Sequence, residues 1–556
     1  MLQPTTAEAL FERHRATLER ALDAIRTRTY WSAYPEVPSG KIYGETAKGD
    51  GEAAFRALLG TPFPLDQASH GAPIGAEVSP WGLELGITYP RPDPEALIAA
   101  ARRAADAWAD ASGEARVGVA LEILARLNRD SFLLANAVMH TTGQAFVMAF
   151  QAGGPHAQDR GLEAVATAWA ELTRLPPAAR WEKPAGRTTL VLEKEWLAVP
   201  RGVALIIGCG TFPTWNAYPA LFASLAVGNA VIVKPHPNAI LPLALTVRTA
   251  RAVLREAGFD PDIVQLAPDT PEAPIAQRLA LDPAIATVDF TGSPGFARWL
   301  EQNVRHARLF TEAAGVNPVV IAGAQDFRAM CTNLAFSLSL YSGQMCTAPQ
   351  NLFIPADGIA TDEGHKTFDA VAHGIAAAID ALLAEPARAQ AVCGAIASPA
   401  TLERIADCRR LGTIVRDSAP LAEAGNARTA SPLLVAVEAE NEAAYGEERF
   451  GPIAFLVRCR NTEEALARAA RMAAEKGAIT ASLYATEEGF IARAKRAFAR
   501  AGAPLAINLT GDVFVNQSAA FSDLHVSGLN PAGNATLTDA AFVADRFRFV
   551  TIKRAA

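Results

Sequence analysis

Apolar positions along the chain fall into three regimes. Over residues 7–27, Leu10, Phe11, His14, Leu18, Leu22 and Ile25 recur at helical spacing, with Thr6 as N-cap and Glu8 in the first turn. From Tyr30 to Tyr89 the chain is dense in Pro, Gly and aromatic residues, which predicts irregular structure. Two helices are expected over about 93–111 and 114–140, the first opened by Asp93-Pro94.

The pattern changes after Pro200. Short β-branched runs at 203–207, 230–234, 263–266, 287–290 and 308–311 alternate with helical segments near 217–227, 240–257, 272–281 and 295–305. Strand–helix alternation with short loops predicts a doubly wound, parallel α/β sheet. Such sheets bind ligands beyond the carboxyl ends of their strands. A second alternation, from 319 to 510, predicts a second α/β domain. Segments 188–199 and 546–553 alternate polar and apolar residues like exposed strands. Gly208-Cys-Gly210 follows a strand but continues as Thr211-Phe-Pro213, so it lacks the third glycine of a dinucleotide phosphate loop.

Composition narrows the function. The 556 residues are 50% hydrophobic and 20% charged, as in a folded chain. Lys and Arg number 51 against 58 Asp and Glu, a net charge of −7 with no basic block, which argues against nucleic acid or an anionic membrane as partner. No apolar run approaches the ~20 residues of a membrane span. The start, Met1 to Leu10, lacks the basic and apolar regions of a secretory signal, so a cytoplasmic protein is expected. Six cysteines lie far apart, at 209, 331, 346, 393, 408 and 459, without CxxC or metal-like spacing to histidine. No metal is expected, and composition leaves open whether one cysteine is a nucleophile.

Six local patterns then occur in a fixed order: Thr214-Trp-Asn-Ala-Tyr-Pro219, Gly228-Asn-Ala-Val-Ile-Val-Lys-Pro235, Phe290-Thr-Gly-Ser293, Thr311-Glu-Ala-Ala-Gly315, Gly343-Gln-Met-Cys-Thr-Ala348 and Glu447-Glu-Arg-Phe-Gly-Pro452. With these the sequence resembles the aldehyde dehydrogenase superfamily from about residue 90 to the end. The runs His140–Phe146, Gly153–Arg160 and Asn508–Gly528 look like the PaaN group, relatives associated with phenylacetic acid degradation. The resemblance implies an aldehyde dehydrogenase-like fold. Residues 91–182 and 201–313 would form the NAD(P)-binding domain, 314–528 the catalytic domain, and 183–200 with 529–556 an oligomerisation arm. Residues 1–90 would be an N-terminal extension, and the arm implies a dimer or larger.

The same resemblance assigns the chemistry. Cys346 matches the family's nucleophile, and its Gly/Ser/Thr-rich surroundings predict a loop-to-helix junction, where a helix N-terminus would lower the thiol pKa. Asn216 matches the oxyanion donor, joined by the Cys346 N–H, although Thr214 stands where the family usually has Pro. Glu312, at 346 − 312 = 34 residues before the cysteine, matches the general base, within a motif that has lost its Leu, first Gly and Lys. Relatives that pass the acyl group to coenzyme A commonly lack this acid, so hydrolysis to a carboxylic acid is expected. A coenzyme A-acylating enzyme and a non-catalytic scaffold are the rivals. The implied substrate is a semialdehyde from aromatic-acid breakdown, in free or coenzyme A-linked form.

For the cofactor, Lys234 is suited to the adenosine ribose or its phosphate as a point charge. Pro237 replaces the acid that repels a 2′-phosphate, and His236 adds a further cation, which predicts NADP and leaves NAD open. Gly292 and Ser293 open a helix suited to the pyrophosphate, with Ala297 replacing a later glycine and narrowing the cleft. Glu448 matches the carboxylate that holds the nicotinamide ribose, and Phe450 the aromatic beside it. Ala217, Tyr218, Met345, Thr347 and Phe521 would line the substrate funnel. His140, His156 and His525 are expected to be packed rather than catalytic.

Overall fold

The computed structural model, which describes residues 6–75, 77–313 and 315–556, has two large sheets whose strands are parallel except at one edge. The first has five strands in the order Val264–Leu266, Ala230–Lys234, Val203–Ile207, Ile285–Gly292, Arg308–Ala313, all parallel. The chain winds outward from Val203–Ile207 in both directions, so the carboxyl ends of that strand and of Ile285–Gly292 flank the switch point where ligands bind. The inner strands are apolar and wholly buried, as expected for a sheet covered on both faces.

The second sheet has seven strands, ordered Thr413–Arg416, Leu433–Glu438, Ile453–Cys459, Asn351–Pro355, Pro318–Ile321, Ala481–Tyr484, Leu505–Ile507. Only the edge strand Thr413–Arg416 runs antiparallel. A third, antiparallel sheet joins Ala178–Ala185 and Thr188–Pro200 to Phe547–Ala555. Leu197, Val199, Val550 and Ile552 share one face of it and are each between 43% and 50% exposed.

Several expectations are corrected. Residues 30–89 contain two helices, Gly40–Tyr43 and Ala47–Arg56, the first capped by the Ser39 hydroxyl. The helix expected over 114–140 is two, Gly113–Arg129 and Ser131–Thr142. Asp130 leaves the helical path at φ −93° and ψ 16°. Both helices are buried almost all round, so the apolar spacing shows no break there. Pro271 and Pro274 delay the helix expected from 272, which runs Ala276–Leu281.

The N-terminal helix Ala7–Thr27, capped by Thr6 as expected, lies against Gly113–Arg129. A Cβ on Gly118 would come within 2.5 Å of the Phe11 nitrogen, so glycine is what permits this approach. The chain then crosses to the site. Trp31 packs on Phe521 with ring centroids 5.1 Å apart, and Asp159 accepts from the Ser32 hydroxyl (2.5 Å) and the Ala33 N–H (3.0 Å).

Candidate active site

Asn216 and Glu312 reach the same point from neighbouring layers of the first sheet. Helix Pro213–Val227 begins with proline at its first position, where no N–H is needed, and this places Asn216 in the first turn. Glu312 is the penultimate residue of Arg308–Ala313, whose outer edge is covered by 532–534: Ala313 N–H donates to the Ala532 carbonyl and Asn534 N–H to that of Thr311. Both side chains are buried. The Asn216 amide nitrogen lies 3.3 Å from each Glu312 oxygen, and the Cys209 thiol donates to the amide oxygen at 3.4 Å.

The placement of Cys346 differs from expectation. The helical turn Leu340–Gly343 precedes it, and after Cys346 the chain goes through a turn into the strand Asn351–Pro355. Among the described residues no helix begins at Cys346, so the loop-to-helix junction expected there is absent. Instead, burial first and the Glu312 carboxylate second push the Cys346 thiol well above its ordinary range.

The turn is held from several sides. Tyr341 and Ser342 have φ of 49° and 50°, a left-handed conformation that side chains seldom adopt without support. That support comes from the Tyr341 hydroxyl on the Thr142 carbonyl (2.5 Å) and the Ser342 hydroxyl on the carbonyls of Cys393 (3.1 Å) and Ala430 (2.8 Å). Asn317 then clamps the turn itself. Its amide donates to the carbonyls of Cys346 (2.7 Å) and Ala348 (2.9 Å), while its oxygen accepts from the N–H groups of Ile479 and Thr480.

A fourth side chain joins the three. His525 Nε2 lies 3.2 Å from Glu312 and 3.9 Å from the Cys346 sulfur, and the donor atoms of Glu312, Cys346 and His525 lie within 4.8 Å of one another. His525 is packed as expected, buried against Trp215, and it also contacts Glu312 and Cys346. His140 and His156 do have structural surroundings: His140 stacks on Phe55 at 5.1 Å, held neutral by burial at about 4, and His156 pairs with Glu36 at 2.6 Å.

The cofactor residues lie along the carboxyl edge of the first sheet. Lys234 closes its strand and pairs with Asp269 at 2.6 Å, while burial lowers its pKa. His236 is held at about 4 by burial and by Lys234, so the second cation expected there is absent at neutral pH. Ser293 caps helix Pro294–Asn303, its hydroxyl accepting from the Phe296 N–H at 3.4 Å. Gly292 before it packs against Phe290, whose ring a Cβ would meet at 2.7 Å. Ala297 is 6% exposed and belongs to the apolar core, so it does not narrow the cleft.

Glu448 and Phe450 sit in the loop after helix Glu442–Tyr445. Gln350, four residues beyond Cys346, ties that loop down by accepting from the Arg449 N–H (2.6 Å) and donating to the Glu447 carbonyl (3.1 Å). Burial raises the Glu448 carboxyl to about 8, offset in part by Arg404, and among the described residues it has no hydrogen-bond partner. A half-buried carboxyl with free acceptor oxygens suits a pair of ribose hydroxyls, and a capped helix at a strand end suits a pyrophosphate. These residues fit a nicotinamide dinucleotide.

The family model described as the aldehyde dehydrogenase family matches residues 89–534. The chain belongs to the aldehyde dehydrogenase family. Membership makes it an oxidoreductase acting on an aldehyde group. A crystal structure of an NAD-dependent aldehyde dehydrogenase from Burkholderia multivorans is similar over 99% of both chains, with TM-score 0.97 and 53% identity. A vanillin dehydrogenase from Pseudomonas fluorescens is 30% identical over 49% of this chain and 54% of its own length. The chain thus spans about half the length of that relative. An N-succinylglutamate 5-semialdehyde dehydrogenase from Burkholderia multivorans is 28% identical over 69% of this chain and 75% of its own.

Of the side chains expected to line this dehydrogenase's funnel, Tyr218 is wholly buried with its hydroxyl on Thr246 (2.8 Å), and Phe521 is buried against Trp31. Both belong to the core. The residues that sequence reasoning missed are His525, Asn317 and the pair that carries the His525 segment. Arg160 and Glu163 are buried together at 2.9 Å. Arg160 donates to the Asp523 carbonyl (3.0 Å) and the Ser518 hydroxyl (2.7 Å), and Glu163 accepts from the Phe521 N–H (3.0 Å) and the Thr538 hydroxyl (2.6 Å). The runs containing Arg160 and His525 were both visible as subgroup features, but nothing in either run signals that they meet.

Proposed function

We propose that this dehydrogenase oxidises a semialdehyde to its carboxylic acid by way of a thioester on Cys346. The Cys346 sulfur bonds the aldehyde carbon, and the π pair moves onto oxygen. The Asn216 amide and the Cys346 N–H stabilise that oxyanion. When bound, the nicotinamide ring supplies the hydride acceptor, held through Glu448, Ser293 and Lys234. Glu312 then takes a proton from water, whose oxygen attacks the thioester carbon, and the carbon–sulfur bond breaks with its electron pair returning to sulfur.

The single observation that carries this reading is the convergence of the Asn216 amide, the Glu312 carboxylate and the Cys346 sulfur in one buried site. A water-activating acid so placed favours hydrolysis over transfer to coenzyme A. An aromatic-acid semialdehyde, free or coenzyme A-linked, is supported by the two subgroup-like runs that abut the site, one through the Thr142 carbonyl and one through His525. Similarity to dehydrogenases of vanillin and of a semialdehyde is compatible with it.

Both cofactors are proposed to enter. Pro237 offers no acid to repel a 2′-phosphate, while Lys234 is already paired and His236 neutral, so little favours NADP either. The exposed apolar face of the three-stranded sheet is proposed to cover a second copy of the chain.

The test is NAD(P)H formation with aliphatic, aromatic and coenzyme A-linked semialdehydes, each with NAD and NADP, for the native enzyme and Glu312→Gln. The expected result is acid product from the native enzyme and a Cys346 acyl adduct that accumulates in the variant. Unimpaired multiple turnover of Glu312→Gln without coenzyme A overturns the role of Glu312. Absence of NAD(P)H across the panel overturns the substrate class.

A further inference from the structure

The attack just described leaves one proton unaccounted for. A half-buried thiol beside a carboxylate holds its proton at neutral pH, because a thiolate there would be poorly solvated and would face a like charge. Glu312 is an unsuitable acceptor of that proton if it must remain ionised to activate water. Among the described residues, His525 is the other basic side chain in contact with the sulfur.

We propose that His525, as the neutral tautomer with its proton on Nδ1, is a catalytic residue that accepts the Cys346 thiol proton on Nε2 as the sulfur attacks, with Glu312 then accepting from the Nε2–H of the imidazolium that results. The inference rests on Cys346 being the nucleophile. As the sulfur–carbon bond forms, the S–H proton passes to Nε2, which lies 3.9 Å from the sulfur, and the carbonyl π pair moves to oxygen. The new cation then lies beside the acyl sulfur and 3.2 Å from the Glu312 carboxylate. When the thioester hydrolyses, the departing sulfur takes the proton back from Nε2. The proton that Glu312 removed from water leaves to solvent, so each turnover ends with the starting protonation.

The surroundings fix the imidazole rather than compete with it. The Trp215 ring meets it edge-on at 4.6 Å, and the His525 carbonyl accepts from the Leu537 N–H at 3.0 Å. The charged and titratable groups that bear on it are Glu312 and Cys346 in contact, Arg160 on the Trp215 ring at 5.3 Å, and Cys209 and Glu448 acting on the sulfur. Arg160 is committed to Glu163, and Cys209 is pushed up to about 11 and stays neutral. Glu312 is therefore the charge that stabilises the imidazolium.

The experiment follows alkylation of Cys346 by iodoacetamide against pH, read on the Cys346 peptide by mass spectrometry, in the full-length protein without aldehyde or cofactor. With an internal base, the native rate levels off by about pH 8, below the range in which a buried thiol ionises unaided. In His525→Gln the rate at pH 7 is expected to fall on the order of 100-fold and to keep climbing about tenfold per pH unit past pH 9, consistent with loss of a general base. A purely structural role would lower the melting temperature without changing the shape of this profile. Superimposable profiles for native and variant overturn the proposal. So does a native profile that itself climbs past pH 9, a result that needs no variant to fold. Because no substrate is present, failure here is distinguishable from failure of the proposed reaction, which is read from acid product.

Discussion

The Asn216 amide nitrogen lies 3.3 Å from both oxygens of Glu312, so the proposed oxyanion donor and the proposed water-activating base are held by one another before substrate arrives. Glu312 also meets His525 Nε2 at 3.2 Å, and the Asn216 oxygen accepts from the Cys209 thiol. The arrangement predicts asymmetric losses. Asn216→Ala removes a donor and should lower kcat by about 100- to 1000-fold with little change in KM. Asn216→Asp should do worse, because it also sets a second carboxylate against Glu312 and disfavours ionisation of both. Steady-state kinetics on one turned-over aldehyde checks both variants.

Lys234 offers a cofactor only the charge that Asp269 leaves over. Asp269→Asn frees the ammonium while preserving the shape of the side chain, and its oxygen can still accept from the Ile275 N–H as Asp269 does at 3.1 Å. The ratio of kcat/KM for NADP over NAD should rise about tenfold, a ~1.4 kcal/mol change. An unchanged ratio would mean that the 2′-phosphate does not reach Lys234.

Asp159 is 5% exposed, and burial holds its carboxyl at about 7, above the ordinary 3.8. Its folded-state value lies above its unfolded one, so between about pH 4 and 7 the native state binds more protons and stability falls as pH rises. Above pH 7 the buried carboxylate costs up to about 4 kcal/mol. Asp159→Asn keeps partners for Ser32 and Ala33 without a charge. Thermal unfolding should show the variant gaining on the native protein from pH 5 to pH 8.

Leu197 and Val550 are directly paired across the antiparallel arm and both face solvent, 50% and 46% exposed. If a second copy covers them, Leu197→Asp with Val550→Asp should reduce the mass measured by light scattering to that of a single 58.7 kDa chain. A native protein that is already monomeric would dismiss the interface.

Period and punctuation in the sequence determined the architecture: strands at 203–207 and 230–234 appear in the structure with the same bounds, because their apolar runs are buried on both faces. The resemblance pointed to Cys346, Asn216 and Glu312, residues carried in short local patterns. Ionisation was not legible. The lowered thiol expected for Cys346 and the cation expected at His236 depended on what lies nearby in space, and burial reversed both.

His525 was the least legible of all. It sits 179 residues from Cys346 and 213 from Glu312, in a segment that Arg160, Glu163 and Leu537 hold by hydrogen bonds. A sequence fixes which groups are present and the local elements that carry them. Which acid meets which base depends on contacts between distant segments, and desolvation then sets their charge, so only the tertiary structure decided that a histidine joins this cysteine and this glutamate.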